Sequence, residues 1–135
     1  MSFEGTTDDR LAIRELVDAY GDAVCQRDAD AWVGTWAPDG IWLIRGKTIT
    51  GHANLRAAWL SAMAAYQYVS FAGRPGALHV DGDSATLRVQ TSEWLVPVAG
   101  RARVQLGTYE DRLVKVRGNW LFAERSFTVN LLHVP

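Results

Sequence analysis

The side chains best suited to chemistry lie on what read as the last two strands. Strand side chains alternate, so Leu121, Ala123, Arg125, Phe127, Val129 and Leu131 share one face. That face is apolar except for Arg125, and a guanidinium there is costly unless it is paired and hydrogen-bonded. The preceding strand can supply the partner. If the turn has three residues, Arg117, Gly118 and Asn119, then Val116 faces Trp120. Asp111 then faces Arg125, Tyr109 faces Phe127, Gly107 faces Val129 and Gln105 faces Leu131. A two-residue turn would put Glu110 in the place of Asp111. The longer turn is preferred because it sets Tyr109 beside Phe127 on the inner face. The pair is either a brace across the sheet or a polar spot on the floor of an apolar cavity, able to orient a carbonyl, hydroxyl or carboxylate.

A second carboxylate has a similar setting. Glu93 shares a strand face with Ala85, Leu87, Val89, Thr91 and Leu95. An acid among such neighbours can have a raised pKa and act as a general acid or base, or it can brace Arg88 or Arg103 at a rim. The opposite face, Ser84, Thr86, Arg88, Gln90, Ser92 and Trp94, with Trp120 and Phe122 nearby, is expected to be an outer surface, either a wet contact between copies of the chain or a solvated rim. The three histidines, His52, His79 and His133, are not spaced as metal ligands, and the single cysteine, Cys25, has no evident base to make it a thiolate. The six tryptophans are core or the walls of a pocket for a flat molecule.

These residues need elements to carry them. Residues 1–7 read as a loose tail. Asp8 or Asp9 caps a first helix with Ile13, Leu16, Val17, Tyr20 and Val24 on one face. Asp28 caps a short second helix carrying Trp32, Val33 and Trp36. Pro38-Asp39-Gly40 turns into a strand, Ile41 to Arg45, and Gly46-Lys47 turns the chain back through Thr48-Ile49-Thr50. A third helix starts near His52, its face formed by Leu55, Trp59, Ala62, Met63 and Tyr66. A strand follows through Tyr68, Val69 and Phe71, is interrupted over Gly73 to Gly76, and resumes from Ala77 to Val80. Asp81-Gly82-Asp83 signals a hairpin. Long strands then run from Ser84 to Val96, Ala102 to Val116 and Trp120 to Val134.

Helices first and long antiparallel strands last predict an α+β domain. Strands this long must coil, so the expectation is a cone-like curved antiparallel sheet packed against three N-terminal helices, with an internal pocket. The whole chain, residues 1–135, reads as one domain. The formal net charge of −1 offers no basic field for nucleic acid or an anionic membrane. Met1-Ser2-Phe3-Glu4-Gly5 lacks the character of a signal peptide, and no apolar run approaches the ~20 residues of a membrane span. The expectation is a cytoplasmic protein without cofactor or metal.

Several segments together resemble SnoaL-like proteins of the nuclear transport factor 2-like superfamily. They are Ile13 through Tyr20 and Asp28 to Trp36-Ala37-Pro38-Asp39-Gly40, then Gly51 before a helix. The most specific is Gly107-Thr108-Tyr109-Glu110-Asp111-Arg112 followed by Gly118-Asn119-Trp120-Leu121-Phe122-Ala123-Glu124-Arg125. The resemblance spans residues 8–133. It implies the cone fold, a homodimer or homotrimer, and for many enzyme members cofactor-free lyase or isomerase chemistry on small apolar molecules. Relatives such as hexachlorocyclohexane dehydrochlorinase and scytalone dehydratase abstract a proton with a histidine, which the dehydrochlorinase orients with an aspartate. Here the aspartate position falls on Cys25 and the histidine position on Ser70, so the dyad is absent. Tyr20 matches an oxyanion-hole tyrosine of ketosteroid isomerase, whose proton-shuttling aspartate position falls near Ile44.

The resulting expectation is a protein that holds a small apolar molecule, cyclic ones included. Trp36, Trp42, Trp59, Ser70, Glu93, Tyr109 and Phe127 would line its site. If it is catalytic, Asp111 or Glu93 takes a proton while Tyr20 or Arg125 stabilises negative charge. The alternatives are a non-catalytic binding or assembly module, or an accessory subunit resembling the β subunit of a ring-hydroxylating dioxygenase.

Overall fold

Helix α1 (Thr7–Gln26) buries Ile13, Leu16, Val17, Tyr20 and Val24, the stripe that the helical period prescribes. A computed structural model describes residues 3–135. The cap of α1 is Thr6, not Asp8 or Asp9: its hydroxyl accepts from the Asp9 N–H at 3.1 Å. Asp9 serves elsewhere, accepting from Lys115 Nζ at 3.1 Å and Trp120 Nε1 at 3.0 Å. That contact ties the start of α1 to the sheet. The helix ends on Arg27, in the left-handed conformation, whose guanidinium donates to the Met63 carbonyl at 2.6 Å.

Part of the segment expected as a loose tail is ordered. Strand β1 (Phe3–Glu4) lies parallel to β4 (Tyr66–Asp81), with Phe3 opposite Leu78 and Glu4 opposite His79. The Glu4 carboxylate and the His79 ring are hydrogen-bonded through Nδ1. Residues 1 and 2 lie outside the described residues. Helix α2 (Ala29–Gly34) is capped by Asp28, as expected, but closes at Thr35, whose hydroxyl donates to the Trp32 carbonyl at 2.7 Å. Trp36 therefore opens strand β2 (Trp36–Ile44) instead of closing the helix. Arg45 and Gly46, both at positive φ, form the tight turn into β3 (Lys47–Thr50). Helix α3 (His52–Met63) buries Leu55, Trp59 and Met63, and stops before Tyr66, which belongs to β4.

Strands β4, β5 (Ser84–Pro97), β6 (Arg103–Val116) and β7 (Asn119–His133) form the expected antiparallel meander. The seven-stranded sheet has the order β1-β4-β5-β6-β7-β2-β3 and is mixed, because β1 pairs parallel with β4 and β2 pairs parallel with β7. Three helices against this large curved sheet make the α+β cone.

The β6–β7 register departs from expectation in an informative way. The turn has two residues, Arg117 and Gly118, both at positive φ, and Val116 pairs with Asn119. That is the two-residue hairpin geometry whose twist matches its strands. By itself it would align Glu110 with Arg125. A bulge at Ala123 inserts one residue, so Leu113 pairs with Phe122 but Arg112 pairs with Glu124, and Asp111 meets Arg125 after all. The bulge also reverses the alternation, so Trp120 and Phe122 are buried with Arg125 and do not face outward as expected. A second shift pairs Gln105 with Leu132, not Leu131. Among the described residues, no helix is long and apolar enough to cross a membrane.

Gly107 marks where the sheet tolerates no side chain. A Cβ there would lie 2.3 Å from Phe127 Cζ and 2.9 Å from the Thr128 carbonyl oxygen. Gly107→Ala is expected to lower unfolding stability by about 1–3 kcal/mol, read as a shift in the urea midpoint at constant slope.

Candidate active site

Between the curved sheet and helix α3 lies a cavity of about 470 Å³, within the range typical of small-molecule sites. Its inner walls are aromatic. Tyr20 from α1, Trp42 from β2, Trp59 from α3, Phe71 from β4, Tyr109 from β6 and Phe127 from β7 all line it. Helix α1 presents Tyr20 because that residue falls on its buried stripe. The strands present the others by alternation.

Beneath the tyrosines the Arg125 side chain is 1% exposed and that of Asp111 0%. The guanidinium grips the carboxylate with two hydrogen bonds, Nε to Oδ1 at 2.8 Å and Nη2 to Oδ2 at 3.0 Å, the bidentate geometry that favours arginine. Its charge is also covered by rings: the guanidinium carbon lies 3.8 Å from the Tyr109 centroid, 4.0 Å from Phe122 and 4.4 Å from Tyr20. Burial pushes the Asp111 carboxyl up, and the charge and hydrogen bonds of Arg125 oppose it. Burial acts to lower the Arg125 value, but Asp111, Tyr20 and Tyr109 more than offset it, so the guanidinium stays charged. Both carboxylate oxygens of Asp111 are engaged and neither residue lines the cavity. The pair is a foundation under the site; neither member is placed to touch a ligand.

The hydroxyls above it are placed to do so. Trp42 Nε1 donates to Tyr109 Oη at 3.1 Å, and the Tyr20 and Tyr109 hydroxyls are 3.3 Å apart. Only one of the two phenolic hydrogens can occupy the bond between them. Among the described residues the other has no partner, so the pair holds a spare donor at the cavity wall. Burial raises the pKa of Tyr20, and that of Tyr109 well above the ordinary 10.0, so both remain neutral donors.

Glu93 lines the same cavity. It braces neither Arg88, which pairs with Glu110, nor Arg103, which donates to the Tyr66 hydroxyl at 2.8 Å. Gln105 Nε2 donates to Glu93 Oε1 at 3.2 Å. Burial raises the carboxyl from 4.5 to about 7, against the lowering effects of Gln105 and Arg45. A carboxyl at that value can accept or donate a proton at neutral pH.

Of the other residues expected at the site, Trp42, Trp59, Tyr109 and Phe127 line the cavity and Trp36 and Ser70 do not. Trp36 packs in the core against Trp32, Trp42 and Phe122. Ser70 lies on the other face of β4, because Val69 and Phe71 on either side of it point inward. Cys25 also misses the cavity: its Sγ accepts from the Phe71 N–H at 3.3 Å and donates to the Phe71 carbonyl at 3.4 Å. His52, expected in solvent, bonds the Trp36 carbonyl through Nε2 at 2.9 Å. Arg45, Lys47, Tyr66 and Gln105 line the cavity without having been singled out as site residues. Gln105 was legible as a neighbour of Gly107 and Tyr109 on one strand face; Arg45, in a turn, carried no such signal. Among the described residues, no cluster of three or more His, Cys, Asp or Glu could hold a metal ion.

Residues 5–126 match the model of the SnoaL-like domain family. The chain belongs to that family. Solved structures agree on the SnoaL-like fold. A protein of Novosphingobium aromaticivorans, named provisionally as an aromatic ring hydroxylase, is 24% identical with a TM-score of 0.89, the match covering 98% of this chain and 96% of that one. A type 2 hexachlorocyclohexane dehydrochlorinase, LinA, is 20% identical with a TM-score of 0.86, covering 95% and 89%. The Mycobacterium tuberculosis protein Rv3472, of unknown function, is 30% identical with a TM-score of 0.77, covering 93% and 78%. No curated protein matches the sequence.

Two predictions follow from the polar groups of this SnoaL-like site. Asp111→Ala strands a buried guanidinium and is expected to cost about 3–5 kcal/mol. Asp111→Leu combined with Arg125→Met should recover much of that loss in urea titrations. For Glu93 the folded state holds its proton up to about 7, whereas the ordinary carboxyl releases it near 4.5. The folded state binds the extra proton between those values, so this contribution to stability is complete below 4.5 and disappears as pH rises through about 7. Glu93→Gln should therefore be the more stable protein at pH ~8, by ~2 kcal/mol, and should flatten the pH profile of the unfolding midpoint.

Proposed function

We propose that the cavity binds a small, largely apolar molecule carrying a hydrogen-bond acceptor and acts on it by cofactor-independent proton transfer, as a lyase or isomerase. The observation that carries this reading is the pairing of Glu93, held near neutrality, with a spare phenolic donor in one aromatic-walled cavity. In the proposed step Glu93 takes a proton from a C–H bond of the ligand. The electron pair moves toward the acceptor oxygen, where the Tyr20–Tyr109 pair stabilises the growing negative charge. Reprotonation at another carbon gives an isomer, with Glu93 returning the proton; loss of a leaving group gives an elimination product. Asp111, the other carboxylate considered for this role, has both oxygens committed to Arg125. The fold shared with hexachlorocyclohexane dehydrochlorinase agrees with elimination without supplying its base.

The second reading is a binder without turnover. It is favoured by the cavity lining, which among the described residues contains no histidine and no aspartate from which the relatives' dyad could be built. In either reading the chain is proposed to act as a homodimer or homotrimer. The exposed outer sheet face around Trp94, itself 48% exposed, would be the contact.

A thermal-shift screen against small cyclic ketones, phenols and halogenated rings selects ligands, since a molecule that binds the folded state raises its apparent stability. Each hit is then incubated in heavy water and followed by proton NMR. The expected outcome is loss of one C–H signal or appearance of product, abolished in Glu93→Gln with binding retained and slowed in Tyr109→Phe. Binding without exchange or product would leave the binder reading.

A further inference from the structure

The rim of the cavity differs in character from its walls. The β2–β3 hairpin forms one lip, and its tight turn brings Arg45 and Lys47 to the opening, where both line the cavity and both are exposed. Neither takes part in an ion pair among the described residues. Among the described residues, Glu93 is the one carboxylate that lines the cavity. Burial puts it at about 7, so at neutral pH it is only partly ionised against two full positive charges. Its Oε1 is already engaged by Gln105. A third cation stands close by, since Arg103 donates to the hydroxyl of Tyr66, another lining residue.

An apolar cavity with more positive than negative charge at its mouth suits a ligand that is itself divided into an apolar body and an anionic end. A low-dielectric wall beside the lip strengthens the attraction over its value in water. The geometry points to an anion subsite at the β2–β3 lip, formed by Arg45 and Lys47, so that the cavity takes aromatic or alicyclic carboxylic acids with the ring inside and the carboxylate at the rim. This rests on the reading of the cavity as a ligand site and adds the charge of the ligand to it.

The test compares three probes of nearly equal shape by calorimetry: 2-naphthoate, 2-naphthamide and 2-naphthylmethylammonium. The expected result is binding of the carboxylate about tenfold tighter than the amide, as a charge-assisted contact gives, with the ammonium weakest. Raising the salt concentration should erode the preference. In Arg45→Gln combined with Lys47→Gln the preference for the carboxylate over the amide should be lost. Both substitutions are at exposed positions, and an unaltered melting temperature checks that the fold is intact. Equal binding of carboxylate and amide to the unmodified protein, or a preference for the ammonium, would overturn the anion subsite and leave the cavity standing as a binding site. Binding of none of the three would count against both.

Discussion

The interaction on which the rest of this structure depends is the buried ion pair of Arg125 and Asp111. A full positive charge sits within an aromatic layer, and three conditions keep it there. The carboxylate answers it with two hydrogen bonds. The rings of Tyr20, Tyr109 and Phe122 offer it their electron-rich faces. The register of β6 against β7 holds the two partners opposite each other. Replacing the pair with well-packed apolar residues could give a protein as stable. What the pair adds is specification: Tyr20 from a helix and Tyr109 from a strand both rest on one guanidinium, and so the two hydroxyls are held in register.

That division separates support from chemistry. Arg125 and Asp111 are sealed and mutually satisfied, and the groups left unsatisfied or poorly solvated lie above them, at the cavity wall. The spare phenolic hydrogen and the high-pKa carboxyl of Glu93 have the same origin, since both are polar groups in surroundings that do not fully answer them. Around them the aromatic side chains share the packing. Trp32 stacks on Trp59 at 5.1 Å between centroids, joining α2 to α3. Among the described residues, the indole nitrogens of Trp32 and Trp36 are also buried without hydrogen-bond partners, in the core and away from the cavity wall. Most of the tryptophan content is thus wall and core, and Trp94 alone of the six is exposed.

Much of this was legible in the sequence, and what was not has identifiable causes. Helical period located α1 and α3, and the Asp28 cap located α2, because those signals are local. Strand alternation found the inner face of β5 with Glu93 on it. The pairing of Asp111 with Arg125 was legible for a partly mistaken reason: a three-residue turn was expected, whereas a two-residue turn and a bulge give the same alignment there. Bulges leave little mark in a sequence, and so Trp120 and Phe122 were expected on the outer face. Ser70 was placed by counting along a strand, where an error of one residue exchanges inside for outside. The lip residue Arg45 lies in a turn, where side-chain direction has no period to follow. The parallel pairing of β2 with β7 is a contact between distant segments that no local pattern announces.

The bulge at Ala123 has a consequence for how this chain can change length. A strand of alternating faces behaves like a reading frame of two: adding or removing one residue puts every later side chain on the wrong side. In β7 the frame is +1 between the turn and Arg125, and the spare residue at Ala123 is what corrects it. The turn and the bulge are therefore coupled sites. Losing a residue at one can be compensated only by gaining one at the other, or by a second frame change before Arg125 is reached. Within β7 itself, a gain or loss of one residue between Asn119 and Arg125 must be matched by another, and the buried arginine is the point at which the frame must be correct.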